Sequence, residues 1–157
     1  MQTPEQLPPE ESYVEPGDHF SPDVAWIWGA GERLTWLAGL VLSLSTLMGW
    51  YVGVGEEPTI AVIGWHTGTL AKLVLLIGLV VIALHLLQEV GIALPATVPE
   101  SLVVIVLGSL ATILVLVRVI SIPEEFQPAN RGIGLWISLL AAVAVIVAGL
   151  LRASEEL

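Results

Sequence analysis

Four long apolar runs, residues 34–54, 69–90, 101–122 and 133–151, are separated by short connections rich in Pro, Gly and Glu. Each run has about the twenty residues that a helix needs to cross a hydrocarbon core of roughly 30 Å. The connections between the runs are too short for a soluble domain. Only 13% of the residues are charged, against about a quarter in soluble domains, and the mean hydropathy is +0.87. The expected fold is therefore an all-α membrane protein, a four-transmembrane-helix up-down bundle spanning 34–152. Run length decides for helix even in 101–122, which is rich in Val and Ile.

The polar segments frame these spans. Residues 1–24 are rich in proline and acidic side chains and bury too little apolar area to offset the entropy of ordering, so they read as a disordered acidic arm. No basic stretch precedes an apolar core there, so the arm does not read as a signal peptide. Tyr13 and Phe20 offer a short recognition element for a protein partner, against the simpler reading of a solvated tail. Residues 25–33 carry Trp26 and Trp28 ahead of Glu32 and Arg33, which suits the headgroup layer. Residues 153–157 form an acidic tail.

With four crossings, both termini and the 91–100 connection share one side, and the loops 55–67 and 123–132 share the other. Basic residues do not orient the chain: Arg33 and Arg152 mark the terminal side, while Arg131, Lys72 and Arg118 mark the other. A net charge of −10 with five Lys plus Arg argues against nucleic acid, because phosphate binding needs a basic face. Cysteine is absent, so there is no thiolate metal site and no disulfide framework.

Small residues recur at four-residue spacing on two runs. Gly39 and Ser43 form one such pair, and Gly134, Ser138 and Ala142 form another, with Ala148 and Gly149 further on. These stripes let helices approach closely. The last run is the best candidate for tight packing.

The residues able to carry chemistry are few. Lys72 lies about 5 Å inside the second run. It snorkels to the headgroups along its own stem or is a buried cation paired with a carboxylate on an ion path. Topology puts Arg118 in the same leaflet. Together with Glu56, Glu57, Glu124, Glu125 and His66, these two make a candidate charged cluster on the loop side. His85 and Glu89 share a helical face, but a zinc site needs a third ligand, so His85 reads as an interfacial hydrogen-bonding residue. His66 and His85 lie about 28 Å apart along a helix axis, too far for shared haem ligation. No span carries paired carboxylates or a Ser–His pair, so neither an enzyme nor a cofactor or metal site is expected.

Several details together resemble a known group. The first run ends in Trp50-Tyr51, Gly64-Trp65 precedes the second, Arg118 closes the third before a proline loop, and Arg131-Gly132-Ile133-Gly134-Leu135-Trp136 opens the fourth. Residues 34–152 resemble an uncharacterised group of small four-span bacterial integral membrane proteins of actinobacterial type, with a soluble N-terminal arm. The resemblance implies a multi-pass protein of the cell membrane with cytoplasmic termini, and no activity. Two departures stand out. The arm lacks the cysteines of the zinc ribbon found in some of that group, and Lys72 stands where an acidic residue is commoner.

Two roles fit these observations. One is a structural or interaction protein, or a small subunit of a membrane assembly, in contact with membrane lipid and presenting its acidic arm to a protein partner. The other is an ion or small-anion transporter or channel element with a charged vestibule around Lys72 and Arg118. Four spans seldom enclose a pathway alone, so the second role needs a homo-oligomer.

Overall fold

The computed structural model describes residues 29–54, 61–92, 95, 98–124 and 127–156. The arm, residues 25–28 of the interfacial segment, and Glu56, Glu57 and Glu125 lie outside the described residues. Four helices dominate: α1 (Ala30–Ser45), α2 (Thr69–Glu89), α3 (Glu100–Ile120) and α4 (Ile133–Glu156). Their meeting ends show that each runs antiparallel to its neighbours. The start of α1 lies against the end of α4 at Gly31 and Arg152, and its end meets the start of α4 through Ser45 and Ser138. Gln88 near the end of α2 bonds Glu100 at the start of α3, while Arg118 near the end of α3 reaches Thr67 just before α2.

Helices α2, α3 and α4 are each long and apolar enough to cross a membrane. α1 has only 16 residues, or about 24 Å. The expected continuous helix over 34–54 is therefore corrected. After Ser45 the chain turns and enters β1 (Gly49–Gly53), the central strand of a three-stranded sheet. β2 (Ala61–Ile63) and β3 (Ala129–Arg131) pair with β1 on either side, both antiparallel. The two loops expected on this side thus supply strands, and the fold is mostly helical rather than all-α.

The break has a local cause. Ser43, Ser45 and Thr46 turn their hydroxyls back onto the carbonyls of Gly39, Leu42 and Ser43, at 2.9, 2.6 and 2.7 Å. Such back-bonding competes with the helical ladder. Trp50, Tyr51 and Val52 follow, flanked by Gly49 and Gly53, and aromatic and β-branched side chains suit a pleated strand. The Trp50 indole then donates to the Ser45 carbonyl at 2.9 Å, occupying an acceptor left free at the helix end. Trp50 and Tyr51 are fully buried.

The interior between the helices is mainly apolar, with the buried hydroxyls of Thr35, Ser43, Ser45 and Ser138 set into it. Leu42, Val74, Val81, Ala111, Val115, Leu135, Ala142 and Val145 have no exposed surface. The small-residue stripes face other helices. A Cβ on Gly39 would sit 3.0 Å from Val81 and 3.2 Å from the Gly78 carbonyl oxygen, so α1 and α2 touch nearly backbone to backbone there. Gly134, Ser138, Ala142 and Gly149 of α4 are all buried. Large apolar side chains such as Leu76, Leu79, Ile113, Ile120, Leu140 and Leu150 point outward, a surface suited to lipid or to partner helices.

Candidate functional site

The charged side chains of the helical body gather at its two ends. At one end the sheet closes the bottom of the helices. Gly132 donates its amide to the Trp50 carbonyl at 2.6 Å, and a Cβ on Gly132 would collide with the Gly49 carbonyl oxygen. Only glycine lets the chain enter α4 so close to β1. Arg118 leans across this end, and its Nη2 donates to the Thr67 carbonyl at 2.7 Å. The Tyr51 hydroxyl donates to the Arg118 carbonyl at 3.2 Å. Burial pushes the Tyr51 phenol above its ordinary value, partly opposed by the positive charge and hydrogen bonding of Arg118 and by the charge of Arg131. Arg131 on β3 donates through Nε to the Val119 carbonyl. Both arginines are thus held largely by backbone oxygens.

Among the described residues the other end carries no strand, and it is tied by side chains. Arg152 of α4 is largely buried; its Nη2 lies 2.7 Å from Gln88 Oε1 and 3.2 Å from Glu100 Oε2. Gln88 Nε2 donates to the same Glu100 oxygen, so one triad links α2, α3 and α4. Ser101 adds a second link from α3 to α4, donating to Glu156 at 2.8 Å. Beside them His85 is buried on α2, with Glu32 of α1 3.9 Å from Nδ1 and Glu89 3.7 Å from Nε2. When protonated, the imidazole faces a carboxylate on each side. The two carboxylates flank different ring nitrogens, and no metal-binding group of three or more such residues occurs among the described residues.

The charged cluster expected on the loop side is only partly in view. Lys72 lies on the outer face of α2 with Nζ 5.2 Å from the centroid of the exposed Trp65 ring. Arg118 is turned toward Thr67, and His66 and Glu124 are exposed. No ion pair joins Lys72, Arg118 and Glu124 among the described residues. Glu56, Glu57 and Glu125 lie outside them.

The sequence reading ends the fourth run at 151 and makes 153–157 an acidic tail. The helix instead continues to Glu156 and carries Arg152 inward. The partners Gln88 and Glu100 were missed because they are 64 and 52 residues away. Pro99-Glu100 was legible only as a favourable helix start, and nothing local announces a buried guanidinium.

The class supported by this architecture is a helical membrane protein. Comparison with protein-family models, curated proteins and solved structures gives no match for the chain. The resemblance of residues 34–152 to a four-span bacterial group receives no support from these comparisons.

Proposed function

We propose that the chain is a multi-pass cell-membrane protein in which all four helices cross as a four-helix bundle, α1 being a short span. We propose further that it serves as a structural or interaction subunit of a membrane assembly. One observation carries this reading: among the described residues the side chains buried between the helices are mainly apolar, the buried hydroxyls of Thr35, Ser43, Ser45 and Ser138 are hydrogen-bonded within the protein, and the arginines are engaged with protein acceptors at the two ends. A transport pathway or an active site within the membrane would need charged groups midway. The apolar groove between α1 and α4 also favours a partner helix, since Ala38, Ala141 and Ala144 leave room beside Leu37, Val41 and Leu140.

The crossing reading is tested on the natural cysteine-free background. Val54→Cys and Gln127→Cys are expected to react with an impermeant maleimide from one side of the membrane, and Ala30→Cys, Ile92→Cys and Ser154→Cys from the other. Labelling of Ala30→Cys from the same side as Val54→Cys, or of all five from one side, overturns it. Native electrophoresis after mild extraction tests the subunit role, and it is expected to show the chain in a larger complex. A conductance in reconstituted vesicles that Lys72→Leu and Arg118→Leu abolish would replace that role with ion passage.

A further inference from the structure

We propose that the outer groove beside Lys72 is a binding site for one anionic phospholipid. The lipid phosphate sits against the Lys72 ammonium, and an acyl chain lies along Leu73, Leu76 and Leu79. The site rests on the membrane reading above and adds a ligand to it. The groove holds about 330 Å³ and is bounded by Trp65 and Thr69 at one end and by these leucines along its length. Its chemistry changes once, from cation and aromatic ring to purely aliphatic.

That order matches a phospholipid. Lys72 is in the first turn of α2, and Leu79 lies seven residues on, about 10 Å deeper at 1.5 Å per residue. The ring of Trp65 sits beneath the ammonium and orients it. Charge complementarity points to an anion. Arg118, Arg131 and Arg152 all donate to protein oxygens, whereas Lys72 has no carboxylate within ion-pair distance among the described residues. A free phosphate would leave the leucine-lined length unused. A partner helix would make no use of the cation.

The test uses the full chain in phosphatidylcholine vesicles containing increasing phosphatidylglycerol, with either lipid carrying brominated acyl chains. Quenching of Trp65 is taken as the difference between wild type and Trp65→Phe. Phosphatidylglycerol is expected to associate about fivefold more strongly than phosphatidylcholine, the factor one interfacial lysine contributes toward an anionic surface. Lys72→Leu is expected to bring the ratio to about one. Lys72→Arg keeps the preference, and Arg33→Gln at the opposite end leaves it unchanged. Equal association of both lipids with wild type, or a preference surviving Lys72→Leu, overturns the site while leaving the membrane reading intact. Release of the chain by alkaline carbonate, with no quenching by either lipid, overturns both.

Discussion

The two ends of the helical body solve one problem in different ways. Each must hold arginines close to an apolar interior. At the sheet end, Arg118 and Arg131 donate to the main-chain oxygens of Thr67 and Val119, so the anchor is the backbone path itself. At the open end, Arg152 depends on Gln88 and Glu100, side chains from two other helices. Carbonyl oxygens survive any substitution at their own residue, but Glu100 does not. The sheet end is therefore sensitive to shape and the open end to charge.

Substitutions separate these sensitivities. The largest effect is expected from Gly132→Val, which forces a side chain against the Gly49 carbonyl and parts β3 from β1. A loss of about 3 kcal/mol follows from overpacking of this kind, read as a lowered unfolding midpoint in detergent. Glu100→Leu comes next at about 2 kcal/mol, because it leaves Arg152 buried with a neutral amide as its remaining partner. Replacing both Glu100 and Arg152 with Leu is expected to recover most of that loss. If Gly132→Ala is silent while Glu100→Leu is severe, shape does not govern the sheet end.

Alkaline titration gives a smaller and directional signal. Burial raises the folded-state value of Tyr51 above the ordinary 10.0, so the folded chain holds this proton more tightly than the unfolded one. Stability from the neutral phenol is full below pH 10 and is lost as pH rises through the folded value. Tyr51→Phe is expected to flatten this slope in unfolding curves taken between pH 9 and 11, at a cost of about 1 kcal/mol for the hydrogen bond to Arg118. The smallest effect belongs to Lys72→Leu, within about 0.5 kcal/mol, as for exposed positions generally. A large loss there would mean that Lys72 holds the fold rather than a ligand.

Much of the helical frame was legible because hydropathy and length act together. The runs 69–90, 101–122 and 133–151 correspond to α2, α3 and α4 within a few residues, except that α4 continues to Glu156. The first run failed for a physical reason. An apolar stretch carries no marker of where a helix gives way to a strand, and the available signals were the hydroxyl-rich Ser43-Leu44-Ser45-Thr46 and the glycines flanking Trp50 to Val52. The outward facing of Lys72 was within reach. Ala71, Val74, Gly78, Val81 and His85 mark the inner face of α2, and Lys72, Leu76 and Leu79 fall away from it. The Arg152 triad was not, since it depends on three helix ends meeting in space.

The shortness of α1 has a consequence for the surrounding bilayer. The apolar part of α1, residues 34–45, beside that of α4, residues 133–151, compares about 18 Å with about 28 Å of length, so in the proposed four-crossing arrangement the two flanks of the body demand different hydrocarbon thickness. In that arrangement, lipid on the α1 flank thins, at a fraction of a kcal/mol per ångström of mismatch. Covering that flank with protein removes this penalty. Hydrophobic mismatch thus gives the groove between α1 and α4 a pull toward assembly that needs no specific contact, and it weakens in thinner membranes.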